Sequence, residues 1–280
     1  MAVLNMTIIP DFSELRAAAL QLLVETDPVR KAENTMALAQ TWLAGSVSLD
    51  TDVLLQSRAA IPGRPVRPQL ISPKGLARRA MNTAEGRAVA IHALTHIEFN
   101  AINLALDAIW RFAGMPRAYY VDWLKVAGEE ALHFTLLAAH LKQMGYVYGD
   151  FPAHNSMWEM ADKTAGDVLA RMALVPRTLE ARGLDASPLT RAKLAQAGDQ
   201  AAAEILDIIL RDEIGHVAIG NRWYGVLCQQ RDLEPIATYR LLSRHYKAPV
   251  LRGPFNLPAR RAAGFSEAEL AALQAPDDRP

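Results

Sequence analysis

The stretch Gly128-Glu129-Glu130-Ala131-Leu132-His133 decides how this chain reads, because Arg211-Asp212-Glu213-Ile214-Gly215-His216 repeats its Glu-x-x-His pattern 83 residues later. On a helix, residues three apart point about 60° from each other, so each Glu and His face one neighbour together. With 14 Glu and 7 His in 280 residues, chance alone supplies about 0.35 such matches, so the two pairs need their context. Glu98 lies 32 residues before Glu130, and Glu180 lies 33 residues before Glu213. Each half is therefore a Glu on one helix, a turn, and a Glu-x-x-His on the next.

These groups stand where apolar residues are expected. Glu98 interrupts the stripe Ile91, Leu94, Ile102, Ala105, Ile109. Glu130 and His133 interrupt Trp123, Val126, Leu137 and Leu141, and Glu213 and His216 interrupt Leu206, Ile209 and Gly220. Four carboxylates aimed into a core repel one another and resist ionisation in a low dielectric. Two divalent cations remove that conflict. One Glu from each of two helices, with Glu-x-x-His from each of the other two, is the donor set of ferritin-like di-iron and di-manganese bundles. The reading is an all-α, ferritin-like four-helix bundle whose metal ligands are Glu98, Glu130, His133, Glu180, Glu213 and His216. Glu129 and Asp212 stand four residues before His133 and His216, where a carboxylate can accept the ring N–H that does not face the metal.

Competing readings bear on particular residues. Arg177 and Arg182 flank Glu180, so a buried salt bridge is an alternative there. Pro176 precedes Glu180 by one turn and predicts a kink or a π-bulge. Glu204 is a rival carboxylate, but nine residues before Glu213 it faces about 180° away. His92, His96 and His140 read as core or surface histidines, and Tyr119, Tyr120 and Trp123 as core and cap residues.

Outward from the repeat, residues 12–44 read as two short helices restarted at Asp27-Pro28, and Ile61–Pro73 carries four prolines, as befits an extended strap. The bundle helices are expected at 83–113, from Pro116 to about Met144, from about Asn155 to Arg182-Gly183, and from Thr190 to Gln230 with a falter at Gly198. A short helix follows Glu234, then a loop holding Pro249, Gly253, Pro254 and Pro258. A last turn begins at Ser266, where Glu269 completes a capping box. This divides the chain into N-terminal helices and strap (1–75), the di-metal bundle (76–232) and a C-terminal helical extension (233–280).

Thirty basic residues balance thirty acidic ones, which gives no general pull toward nucleic acid or membrane. The run Arg240, Arg244, His245, Lys247, Arg252, Arg260, Arg261 is a local exception, either a solvated face or a contact for a phosphate-bearing substrate or RNA. Cys228 is the single cysteine, which excludes an internal disulfide and a multi-cysteine metal site. The opening Met-Ala-Val-Leu-Asn-Met-Thr-Ile-Ile-Pro-Asp has no signal-peptide pattern, and no apolar run reaches the ~18 residues of a membrane span. The expectation is a cytoplasmic protein.

Several segments together carry a family resemblance: Ile61-Pro-Gly-Arg-Pro65, His96-Ile-Glu98, Gly128–His133, Pro176-Arg-Thr-Leu-Glu-Ala-Arg-Gly-Leu-Asp185 and Asp212–His216. Through them the chain resembles a bacterial ferritin-like family catalogued as domain of unknown function 455, from about residue 12 to the final helix. That resemblance implies a dinuclear metal site and favours Glu180 over Glu204 as a ligand. More distantly, the chain is similar to the di-iron hydroxylase of methylthio-isopentenyladenosine in tRNA, which also has Glu-Ala-Arg on its third helix. The functional expectation is a non-haem di-iron oxidoreductase using O2 or peroxide on a small organic molecule or a modified nucleoside. The cofactor is two iron ions, with manganese or a mixed manganese–iron pair as alternatives. A metal-handling protein for iron oxidation, storage or sensing, and a di-manganese catalase-like protein, are the other readings. A homodimer is the candidate assembly, whereas iron storage would need a larger assembling shell.

Overall fold

The computed structural model describes residues 11–76 and 79–275, and the stretch on which the expectation of no leader rests (1–10) lies outside them. Every regular element among the described residues is a helix, with no strand beyond two isolated bridges, Glu14 to Ser48 and Leu70 to Ala153. The all-α class is what the helical periodicity predicted. By contacts the chain falls into two compact units, one of Met1–Pro65 with Ala101–Leu132 and one of Val66–Asn100 with His133–Pro280. The division passes through two helices that are themselves unbroken, α3 (Ala84–Arg111) and α4 (Arg117–Gln143).

In the first unit, α1 (Leu15–Val24) starts at Glu14, whose side chain accepts from Ala17 N at 2.7 Å. The next helix, α2 (Pro28–Leu43), starts at Asp27, which accepts from Val29 N and Arg30 N, with Pro28 where its missing N–H costs nothing. Arg16 is fully buried and donates to Ile109 O at 3.3 Å and Trp110 O at 2.8 Å, two carbonyls left open at the end of α3. A cation there also suits the negative end of the helix. Lys31 is equally buried and donates to Leu23 O, Gly63 O and Asn103 Oδ1, while burial pushes its pKa down to about 7. Gly63 cannot be another residue, since a Cβ there would collide with Val24 O. The Ile61-Pro-Gly-Arg-Pro65 motif thus clamps the α1–α2 hairpin. Gly114, at φ +74°, closes the turn between α3 and α4.

The second unit holds the later helices. The strap is pinned by Ile71 N to Ala153 O at 2.8 Å and Ala153 N to Gln69 O at 3.0 Å. The expected third helix, from about Asn155 to Gly183, is instead three pieces: α5 (Ser156–Lys163), α6 (Val168–Leu174) and a π-helical turn (Val175–Glu180) that continues into α7 (Ala181–Gln196). Pro176 removes a backbone donor, and the chain responds by widening rather than breaking, with Thr178 Oγ1 donating five residues back to Ala173 O at 2.8 Å. The expected stop at Gly183 is absent. Pro188 stays inside α7 because the carbonyl it orphans, Leu184 O, accepts from Asn256 Nδ2 at 3.1 Å. The true boundary is Gly198, at φ +84°, after which Asp199 caps α8 (Gln200–Gln230).

Beyond α8 come α9 (Pro235–His245), α10 (Leu257–Ala262) and α11 (Glu267–Gln274). Pro258, expected in a loop, stands in the first turn of α10, where a missing N–H is harmless. The Ser266–Glu269 capping box forms as predicted. No described helix is long and apolar enough to cross a membrane.

Candidate metal centre

Glu98 on α3, Glu130 and His133 on α4, and Glu213 on α8 are all buried, and each offers a ligand atom within 4.8 Å of the others. Helical spacing makes this possible: Glu130 and His133 are one turn apart on an unbroken helix, and Glu213 takes a core position of α8 beside Ile209 and Val217. Three carboxylates and an imidazole this close in a buried setting form a donor set that can hold a metal ion.

His133 is oriented from both sides. Its Nε2 lies 3.1 Å from Asp212 Oδ2, and its Nδ1 lies 3.3 Å from Glu98 Oε2. A proton held on Nε2 by Asp212 leaves the Nδ1 lone pair directed at the cluster, the arrangement a metal-binding imidazole requires. Burial tends to raise the Asp212 carboxyl, but hydrogen bonds from Arg211 and His133 outweigh it and hold the group below the usual carboxylate range. Asp212 therefore serves the histidine of another helix. The expectation paired it with His216 on its own helix, but its carboxylate spans Arg211 Nε at 2.8 Å and the His133 ring. Glu129, the matching residue on α4, is partly buried and lies 3.7 Å from Lys125.

His216 is fully buried, its ring centroid 5.8 Å from that of His133 and its Nδ1 3.9 Å from Glu213 Oε1. Glu180 is buried at the end of the π-helical turn, which packs on α8. The Pro176 ring explains how that packing is achieved. It sits over Gly220, where a Cβ would approach it to 2.5 Å. Gly183 lies near Glu213, but a Cβ there would meet Oε2 only at an ordinary 4.0 Å. Glu204 is exposed and touches Gln200, as its position on the far face of α8 predicted.

The remaining histidines have structural partners. His92 Nε2 accepts from Gly149 N at 2.9 Å, and burial lowers its pKa to about 4, so it stays neutral. His96 meets Tyr148 OH at 2.8 Å and His154 O at 3.0 Å, and His140 meets Asp199 at 3.0 Å. Phe99, Phe134 and Tyr148 pack together beside the ligands on α3 and α4, with centroids 5.4–5.9 Å apart, Phe134 and Tyr148 edge to face and the other two pairs tilted. This apolar wall keeps water from one side of the cluster.

A family model described as "Protein of unknown function (DUF455)" matches residues 24–271. The chain belongs to this family. The matched span contains every candidate ligand, from Glu98 to His216. An uncharacterised protein of Haemophilus influenzae is 52% identical over 213 residues, covering 74% of this chain and 74% of that relative. No solved structure matches. Within this DUF455 chain, a residue that sequence reasoning had missed is Gly220, small where the Pro176 ring of the π-helical turn rests on α8. The His133–Asp212 pairing was also missed, because an i, i+4 spacing on one helix conceals a partner on another.

Proposed function

We propose that this protein is a ferritin-like, dinuclear metal-dependent oxidoreductase that acts with O2 or peroxide on a small organic substrate. The observation that carries the reading is the buried cluster of Glu98, Glu130, Glu213 and His133, with His133 Nε2 held by Asp212. Three carboxylates so close together need cations to remain ionised away from water. Glu98, Glu130, His133, Glu180, Glu213 and His216 would hold two ions, and carboxylate-rich sites suit iron or manganese better than copper or zinc. When bound, such a pair supplies two-electron redox chemistry toward oxygen.

The chain's own part is to orient and to exclude. Asp212 holds the His133 proton on Nε2, which leaves the Nδ1 lone pair to face a metal. Phe99 and Phe134 exclude solvent beside Glu98 and His133. The π-helical turn gives Glu180 a position that a regular helix through Pro176 would not allow, and such turns recur at functional sites.

The test is anaerobic loading with ferrous iron, metal analysis, then exposure to oxygen with absorbance followed. About two ions per chain, lost on Glu130→Ala or Glu213→Ala, together with an oxygen-dependent absorbance change, is the expected outcome. Metal content that is negligible, or indifferent to both substitutions, would sink the metal reading. Retention of iron without any response to oxygen would sink the oxidoreductase reading alone. Rapid peroxide disproportionation by manganese-loaded protein would move the assignment to a catalase-like activity.

A further inference from the structure

A cavity of about 150 Å³ lies among α9, α11 and the π-helical turn, and none of the carboxylate cluster's residues line it. A single water needs only about 10–15 Å³ on this measure, so the space is for something larger. Its α9 wall is formed by Ile236, Tyr239, Arg240, Ser243 and Arg244, spaced to share one helix face.

The charges around it are unequally compensated. Arg177 Nη2 is 2.6 Å from Glu269 Oε1, and Arg260 Nη2 is 2.6 Å from Asp185 Oδ2. Burial pushes the Glu269 carboxyl up, but Arg177 and Ser266 more than offset this and keep it below the usual range. Those two pairs cancel. Arg240 and Arg244 also line the cavity, and neither has an ion-pair partner among the described residues. Glu234, the cap of α9, faces Arg240 and offsets part of its charge, so the α9 wall keeps a net positive charge smaller than two.

Its polar lining is also unsatisfied. Ser243 is 5% exposed, yet its Oγ has no hydrogen-bond partner among the described residues, nor have Arg177 Nε and Arg260 Nη1. Buried donors are rarely left without an acceptor, since each one costs about 1–3 kcal/mol. Three of them on one cavity, beside two unpaired arginines, ask for an acceptor with negative charge. Opposite them Leu251, Phe265 and Leu273 offer an apolar wall.

We propose that this cavity binds a small organic anion, with its carboxylate or phosphate at Ser243, Arg240 and Arg244 and its apolar body against Phe265 and Leu273. The site is independent of any metal at the carboxylate cluster. It does adjoin the segment that carries Glu180, because Tyr239 OH lies 2.9 Å from Thr178 Oγ1.

Isothermal titration of the full chain with phenyl phosphate, benzoate, inorganic phosphate and benzylamine tests this. Saturable binding of phenyl phosphate or benzoate, but not of benzylamine, is expected, and whichever anion binds tighter identifies the head group. Inorganic phosphate should bind at least about tenfold more weakly than phenyl phosphate, because it lacks the apolar body. The exposed double variant Arg240→Ala/Arg244→Ala should weaken binding by about tenfold or more without changing the melting temperature of the ligand-free protein. Ser243→Ala should weaken it by a smaller factor. No saturable binding of either aromatic anion, or binding indifferent to the double variant, would overturn the proposal. So would a short single-stranded RNA binding through the same arginines while the small anions do not.

Discussion

The two halves of the Glu, Glu-x-x-His repeat carry the same donors on different backbones. In the first half, α3 and α4 run 28 and 27 residues without interruption, so Glu98, Glu130 and His133 follow from helical phase alone. In the second half, α8 is equally regular over 31 residues, but the chain on either side of Glu180 is divided into α6, a six-residue π-helical turn and α7. Pro176 and Pro188 both lie in that stretch, and each needs help from elsewhere. Pro176 rests on Gly220, and the carbonyl freed by Pro188 is taken by Asn256. A repeat in sequence therefore does not impose a repeat in backbone. The irregular half is also where the arginine-lined cavity adjoins the helix, through Tyr239 and Thr178.

The sharpest way to test what links the halves is Asp212. If it orients His133, Asp212→Ala should weaken metal binding by roughly 10–100-fold, as loss of such a partner does at other histidine sites. Glu204→Ala on the far face of the same helix should leave binding unchanged. Metal titration of both variants decides it, and equal affinities would show that the 3.1 Å contact between His133 and Asp212 does not matter to the site.

Glycine-to-alanine substitutions then separate the two backbones. Gly220→Ala drives a methyl to 2.5 Å from Pro176 Cβ and 2.6 Å from its Cγ, so ring and turn must shift. A loss of about 1–3 kcal/mol in chemical denaturation is expected, as overpacking of a close contact usually causes. In the regular half, Gly128→Ala meets only Ala39 Cβ, at 3.2 Å. Gain in helix propensity, up to about 1 kcal/mol, offsets that contact and leaves the variant near neutral. Similar losses in both would mean that the π-helical turn is no less tolerant than an ordinary helix.

How much of this was readable beforehand follows the same division. Glu98, Glu130, His133 and Glu213, which the structure brings together, stand out in sequence because each sits on a long helix whose apolar phase is regular and a polar group in that phase is conspicuous; Glu180 and His216 are not among those four. The capping box at Ser266 and Glu269 was legible because it is local. The end of α7 was misread at Gly183, since the small residue and the nearby Pro188 look like punctuation. What overrides them is tertiary: Asn256, 72 residues away from Leu184 in sequence, supplies the missing donor. Asp212 was assigned to the wrong histidine for the same reason. The basic run at 240–261 was likewise read as one patch, whereas Arg260 is buried against Asp185, Arg261 pairs with Glu267, and Arg240 and Arg244 line the cavity with no salt bridge among the described residues. Spacing within a helix is visible in sequence, and contact between helices is not.

The smallest effect is the most diagnostic of how the irregular half is held. Asn256 does two things: its Nδ2 donates to Leu184 O at 3.1 Å, and its Oδ1 accepts from Ala259 N at 3.3 Å as the cap of α10. Asn256→Ala removes both and should cost about 1–2 kcal/mol. In a Pro188→Ala background the new backbone N–H can reach Leu184 O itself, so the carbonyl no longer depends on Asn256. There the same substitution should lose only the cap, and the two costs should differ by about 0.5–1.5 kcal/mol. A double-mutant cycle by urea denaturation measures that difference directly. A coupling of zero would mean that Leu184 O finds water when Asn256 is gone, and that Pro188 is tolerated in α7 without any partner from α10.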